Sequence, residues 1–293
     1  MSRRVVIGTR GSKLALAQAH KVREELEREG YETEIRIIRT SGDIKKDRPL
    51  HEFKGIGAFV REIDLALKRG EVDVAVHSLK DVPTQRVEGT VIAAVLERES
   101  PCDAFVTRDG RSFEELEGGS VVGTSSLRRR AMVLKLRKDL KIENLRGNVD
   151  TRLRKLSEGI YDGIFLAEAG LIRLGIHEEL KYQRLSPYTF VPSANQGIIA
   201  VATREGEEEL ASFMNHDETY REAMLERFVI SYLGVGCAVP AGVYAESAGN
   251  KIRLVCEVLG EGGEVKARVD ERVSRDWSEE EVEEILRGLS GLV

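Results

Sequence analysis

The chain carries one local pattern twice, and that repeat limits its fold more than any other feature. Near the start, Val6-Ile7-Gly8-Thr9 leads to Ser12 and then to Ala15, Ala19, Val22 and Leu26 at helical spacing. At residue 121 the order returns as Val121-Val122-Gly123-Thr124-Ser125-Ser126, again ahead of a helix. A second echo follows each copy: Gly70-Glu71-Val72-Asp73 before Val74-Ala75-Val76, and Gly159-Ile160-Tyr161-Asp162 before Gly163-Ile164-Phe165-Leu166. Each copy therefore reads as strand, hydroxyl-capped helix, then later a helix, Gly-x-x-Asp and a strand. Alternation of this kind predicts two open α/β lobes. Ligands in such sheets bind at the carboxyl ends of strands, where these Gly, Ser and Thr turns fall.

Between the echoes, Glu34 to Thr40 reads as a strand with Ile35 and Ile37 on one face, and Ser41 to Gly57 as a long polar loop. A helix with Phe59, Ile63, Ala66 and Leu67 on one face comes next. The last quarter changes character. A helix from Glu218 to Tyr232 precedes the glycine-bracketed stretch Leu233-Gly234-Val235-Gly236-Cys237-Ala238-Val239-Pro240. Strands over 242–245, 252–259 and 264–272 and an acidic helix from near Ser278 then suggest a separate α+β domain. Pro-containing crossings are expected at Glu97–Cys102 and Phe190–Gln196.

The formal net charge of −5 argues against a polyanion binder until it is resolved along the chain. Residues 128–155 hold eleven basic and three acidic side chains, so this window is strongly positive on an acidic protein. It contains no Phe, Tyr or Trp to stack on bases, which disfavours nucleic acid. No apolar stretch is long enough to span a membrane, so no membrane partner is expected. Cys102, Cys237 and Cys256 are widely spaced, without a CxxC pair, which predicts neither a disulfide framework nor a metal site. A reducing, cytoplasmic setting follows as the expectation.

Three features carry chemistry. Thr124-Ser125-Ser126 runs into Leu127-Arg128-Arg129-Arg130, so hydroxyls and free amides at a helix start stand beside guanidinium groups. Cations at a helix N-terminus oppose the macrodipole, a conflict that an anionic ligand would resolve. Arg146-Gly147-Asn148 and Arg152 add guanidinium groups nearby in sequence. Cys237 sits where flanking glycines could present a thiol, whereas Cys256, inside a strand pattern, reads as a small buried hydrophobe. Asp81 follows a strand end, a position that suits a reaction carboxylate and equally a turn Asp before Val82-Pro83.

Taken together, the chain resembles the porphobilinogen deaminase (hydroxymethylbilane synthase) family. The resemblance rests on Thr9-Arg10-Gly11-Ser12-Lys13-Leu14-Ala15-Leu16-Ala17-Gln18, Val76-His77-Ser78-Leu79-Lys80-Asp81-Val82-Pro83 and Val122-Gly123-Thr124-Ser125-Ser126-Leu127-Arg128-Arg129. Leu145-Arg146-Gly147-Asn148-Val149-Asp150-Thr151-Arg152-Leu153 and Gly236-Cys237 with Val239-Pro240 complete it. It implies two lobes like those of periplasmic binding proteins, over 1–97 with 197–214 and over 102–190, and a C-terminal α+β domain over 218–293 that carries the cofactor cysteine. It also implies a monomeric transferase of tetrapyrrole (porphyrin, haem) biosynthesis. Such an enzyme condenses four porphobilinogen molecules head to tail, with loss of ammonia and hydrolytic release of hydroxymethylbilane. The implied cofactor is dipyrromethane, held by a thioether to Cys237, with Asp81 as the catalytic carboxylate. Cofactor contacts are implied for Lys80, Asp81, Thr124, Ser125, Ser126, Arg128, Arg129, Arg146 and Gly147, and substrate contacts for Arg10, Ser12, Arg146, Arg152 and Gln196.

This chemistry agrees with the residues. Every pyrrole carries an acetate and a propionate, so a growing chain is a polyanion that needs many guanidinium groups, and a cationic intermediate needs one placed carboxylate. The sequence also departs from the family. His51-Glu52-Phe53-Lys54-Gly55-Ile56-Gly57 has Glu52 and Ile56 where lysines are common, Cys102 stands at a position often held by Arg, and Asn195 at one usually held by Gly. The alternative from another class is a non-catalytic two-lobed binder of anions or other solutes, in which Cys237 would have no role.

Overall fold

The computed structural model describes residues 3–40, 60–234 and 239–287 of the 293-residue chain. The expected loop Ser41–Gly57 with Lys54, the helical residue Phe59 and the Cys237 loop lie outside the described residues. The chain divides into two compact units, residues 1–99 with 197–220, and residues 100–196 with 221–293.

The first unit is built on a five-stranded sheet in the order β2-β1-β3-β10-β4. Its strands are β1 (Arg4–Thr9), β2 (Glu32–Ile37), β3 (Val74–Ser78), β4 (Thr90–Val95) and β10 (Ile199–Arg204). β1 pairs in parallel with β2 and β3, and β10 runs antiparallel to both β3 and β4. Helix α1 (Lys13–Arg28) covers one face, where Val5, Ile7, Val74 and Val76 meet Ala19, Val22 and Leu26. Helix α2 (Arg61–Lys68) covers the other, where Ile63, Ala66 and Leu67 meet Val72 and Ala75. With both faces covered, β3 opens on three consecutive apolar residues, Val74, Ala75 and Val76. Strand β2 starts and ends earlier than the periodicity predicts, and Ile37 is exposed because β2 is the outer strand.

The second unit repeats this order. Its sheet runs β7-β6-β8-β5-β9, with β5 (Asp103–Thr107), β6 (Val121–Gly123), β7 (Lys141–Glu143), β8 (Gly163–Ala167) and β9 (Tyr182–Arg184). β6 is parallel to β7 and β8, and β5 is antiparallel to β8 and β9. Helices α3 (Leu127–Leu136), α4 (Val149–Ser157) and α5 (Glu168–Arg173) flank it. The second unit also contains a three-stranded antiparallel sheet, β11 (Ala241–Ala248), β12 (Lys251–Leu259) and β13 (Val265–Ser274). Helix α6 (Asp217–Tyr232), whose first residues belong to the first unit, and helix α7 (Glu279–Leu286), capped by Ser278, contribute Leu225, Val229, Val282 and Leu286 to the core of this sheet.

The repeated sequence marks have matching physical roles. Asp73 Oδ2 accepts from Val6 N at 2.8 Å, and Asp162 Oδ2 accepts from Val121 N at 2.7 Å, so each Gly-x-x-Asp clamps the neighbouring strand. A Cβ on Gly8 would lie 2.9 Å from Val72, and one on Gly123 would lie 2.9 Å from Tyr161, so each glycine lets the helix-to-strand connection pack on its strand. Ser12 Oγ accepts from Ala15 N and Ser126 Oγ from Arg129 N, capping the two equivalent helices.

Candidate functional site

In the second unit, the carboxyl ends of the adjacent parallel strands β6 and β7 place Thr124-Ser125-Ser126 beside the loop Asn144–Gly147. Ser125 Oγ donates to Leu145 O at 2.9 Å and ties the two turns together. Thr124 Oγ1 accepts from Ser126 N, which fixes the approach to α3. The first intrahelical bond is Arg130 N to Ser126 O, so the amides of Leu127 and Arg128 stand at an open helix start. A cavity of about 240 Å³ lies here, lined by Thr124, Ser125, Ser126, Leu127, Arg130, Asn144, Pro240 and Glu261. Hydroxyls, a helix N-terminus and the Arg130 guanidinium line it, with the Glu261 carboxylate on its border.

Arg128 and Arg129, expected to grip a ligand, are buried and engaged within the protein. Arg128 donates to Asp103 Oδ2 at 2.7 Å and to Val191 O, and Arg129 donates to Asp103 Oδ1 at 2.6 Å and to Phe165 O. Gln196, expected to contact substrate, is buried too, and its Nε2 donates to Pro101 O at 2.8 Å and to Asp103 Oδ1 at 3.2 Å. Burial pushes the Asp103 carboxyl up, but the two guanidinium groups outweigh it and hold the group at about 2. The two arginines that oppose the α3 macrodipole thus share one internal carboxylate. Arg130, next in the sequence, is the one that lines the cavity.

The rest of the basic window divides likewise. Lys135 pairs with the buried Glu257, and Arg137 with Asp139 and the carbonyls of Phe113, Glu114 and Leu116. Arg152 Nε donates to Gly147 O at 2.7 Å, holding the loop in which Gly147 adopts φ 113° against Thr151. Arg146 is half-buried in that loop.

In the first unit, β1 and β3 are parallel neighbours, so their carboxyl ends bring the Arg10–Ser12 turn and the Leu79–Asp81 turn to one sheet edge. Ser12 Oγ accepts from Ala15 N and so caps α1. Gln18 Nε2 donates to Ser78 Oγ at 2.8 Å, fastening α1 to the end of β3. Leu79 is buried while Lys80 and Asp81 are exposed, and no hydrogen bond or ion pair among the described residues takes up the Asp81 carboxylate.

Sequence reasoning missed Asp103, the hub of the arginine network, although an acid opening the apolar run Asp103-Ala104-Phe105-Val106 was a visible signal. It also missed Glu168, a buried carboxylate that accepts from Tyr182 at 2.7 Å, from Arg184 at 2.8 Å and from Ser100. No local signal marks that residue. Asn195, where the family usually has Gly, adopts φ 61°, the left-handed region that Gly and Asn share. Among the described residues no group of His, Cys, Asp and Glu could hold a metal ion, and no helix is long and apolar enough to cross a membrane.

Comparisons with known proteins agree over nearly the whole chain. Residues 5–212 match the family model of the porphobilinogen deaminase, dipyromethane cofactor binding domain, and residues 220–287 that of the porphobilinogen deaminase C-terminal domain. A probable porphobilinogen deaminase of Archaeoglobus fulgidus is 62% identical, over 98% of this chain and 97% of its own. One of Methanocella arvoryzae is 52% identical over 95% and 92%, and the porphobilinogen deaminase of Rubrobacter xylanophilus 41% over 100% and 98%.

Proposed function

The chain belongs to the porphobilinogen deaminase family, and from that premise we propose how its residues condense four porphobilinogen molecules into hydroxymethylbilane with loss of four ammonia. The carrying observation is that Pro240, three residues after Cys237 in the sequence, lines the same cavity as Thr124, Ser125 and Ser126. The chain beside the expected attachment cysteine thus reaches this cavity.

The cavity fits dipyrromethane, whose side chains are carboxylates, because its lining offers hydroxyls, helix amides and Arg130. Dipyrromethane, when bound, supplies the free pyrrole carbon from which the chain grows. Cys237 is the attachment residue in this reading. Burial pushes the Cys102 thiol up and the Cys256 thiol up to about 12, so neither is available as a thiolate near neutral pH.

Ser126, Thr124, Arg146 and the Gly147 loop hold pyrrole carboxylates, with Ser125 tying the hydroxyl turn to that loop through Leu145 O and Arg152 keeping the loop in place. Arg128 and Arg129 act from beneath by fixing the start of α3 on Asp103, and Gln196 joins the same carboxylate. In the first unit, Arg10 and Lys80 receive further substrate carboxylates, and Ser12 shapes their turn. The exposed Asp81 carboxylate stabilises positive charge on the substrate pyrrole nitrogen as ammonia leaves. Three domains, 1–97 with 197–214, 102–190 and 218–293, and a cytoplasmic monomer complete the proposal. The non-catalytic alternative leaves the match over residues 220–287 without a role.

The test is stoichiometric. Incubated with porphobilinogen, the protein should release four ammonia for each hydroxymethylbilane. Binding of porphobilinogen with no ammonia released would contradict the reading.

A further inference from the structure

One buried cluster in the first unit is not used by this account. Helix α2 buries Asp64 along with Ile63, Ala66 and Leu67, and the carboxylate is 1% exposed. An ionised carboxylate on an apolar helix face is costly unless it is paired. Asp64 has two partners, one on each oxygen: His77 Nε2 lies 2.9 Å from Oδ1, and Arg86 Nη2 lies 2.8 Å from Oδ2. Facing a carboxylate, His77 carries its proton on Nε2 and donates it. Burial pushes the Asp64 carboxyl up, and His77 and Arg86 outweigh that and hold it below its ordinary value.

The two partners have a particular place in the chain. His77 lies on β3, four residues before Asp81, and Arg86 lies five residues after it. A single buried carboxylate therefore grips both legs of the excursion that carries Asp81. Within it, Leu79 N donates to Ile198 O and Val82 N to Leu79 O, while Lys80 and Asp81 remain exposed. Arg86 is almost buried, and its Nε, Nη1 and Nη2 make no hydrogen bond among the described residues, so the ion-pair contact of Nη2 with Asp64 supplies its countercharge.

We propose that Asp64 is a positioning residue for the reaction: through His77 and Arg86 it clamps both ends of the 78–85 turn and fixes where the Asp81 carboxylate stands. This rests on the reading of Asp81 as the reaction carboxylate. A bare ion-pair cluster that only fastened α2 to the sheet would support stability, whereas a clamp on the turn governs the chemical step.

The experiment compares cofactor-loaded wild type, Asp64→Asn, His77→Gln and Arg86→Gln, each alone and combined with Asp81→Asn. Thermal unfolding, kcat and KM for ammonia release, and hydrogen exchange of the 78–85 amides are followed. Asp64→Asn is expected to lower kcat by about 10²-fold with little change in KM, as displacement of a catalytic group by about 1 Å does. It is also expected to speed exchange across 78–85. In the Asp81→Asn background the same change should alter the rate by less than about threefold, because both act through one group. If Asp64→Asn does not fold, His77→Gln and Arg86→Gln, each freeing one leg, should give the same pattern at smaller size. Equal slowing in both backgrounds, or a folded Asp64→Asn with wild-type rate and exchange, would overturn the clamp. An Asp81→Asn protein as fast as wild type would instead overturn the reading of Asp81 on which the clamp depends.

Discussion

Arg128 Nη2 stands 2.7 Å from Asp103 Oδ2, with both side chains buried. Removing one partner of such a pair leaves an uncompensated buried charge, so Asp103→Asn should cost about 3–5 kcal/mol of stability at neutral pH. The Asp103 carboxyl is held at about 2, below its ordinary 3.8. The unfolded chain then takes up the proton first, so this contribution is complete above about pH 5 and is lost as pH falls through the ordinary value towards 2. Urea unfolding at pH 7 and pH 3 should show a smaller pH difference in Asp103→Asn than in wild type. An equal difference would mean that Asp103 is not the group responsible.

The arginines of the basic window separate into two classes that substitution by lysine should distinguish. Arg128→Lys loses a planar donor that serves Asp103 and Val191 O together, so it should lower the melting temperature markedly. Arg146→Lys, in the half-buried loop after β7, should slow chain assembly while leaving the melting temperature near wild type. A stable Arg128→Lys, or an unstable and fully active Arg146→Lys, would reverse the assignment.

Attachment of the cofactor should depend on one thiol. Peptide mapping of the purified protein should find the adduct on Cys237, and Cys237→Ser should remove both adduct and activity. Cys102→Ser and Cys256→Ala should retain the adduct, since both thiols are buried. An adduct mapped to either of these would overturn the assignment.

Asn195 offers a backbone test. Its φ of 61° suits Asn or Gly, its Nδ2 donates to Ala223 O at 3.0 Å, and its amide donates to Glu226. Asn195→Gly and Asn195→Ala both lose the side-chain bond, but only Ala adds left-handed strain of about 1–2 kcal/mol. Chemical denaturation should therefore rank Asn195→Ala below Asn195→Gly, and equal stabilities would show that the conformation is not enforced.

Much of this architecture was legible because the repeat encodes local physics. Gly8 and Gly123 sit where a side chain would strike Val72 and Tyr161, and Ser12 and Ser126 cap equivalent helices. The fates of Arg128 and Arg129 were not legible. Their partner Asp103 lies on β5, on the far side of β8 from β6, and only sheet order brings it under α3. The same holds for Asp64, whose buried helical neighbours Ile63, Ala66 and Leu67 read as core and whose two partners come from β3 and from the segment after the Asp81 turn. The end of strand β2 was misplaced because an outer strand ends where its one neighbour does, and Thr9 closes that pairing opposite Ile37.

The role of the Asp81 carboxylate is tested by single-turnover ammonia release from cofactor-loaded protein at matched substrate occupancy. Asp81→Asn keeps the size of the side chain and removes its charge, so it should leave the melting temperature near wild type. It should slow ammonia release by about 10²–10³-fold, the usual effect of losing one electrostatic stabiliser. Asp81→Glu keeps the charge at a shifted position and should be slowed less. Release from Asp81→Asn within a few-fold of wild type would contradict the account and require another carboxylate to carry the chemistry.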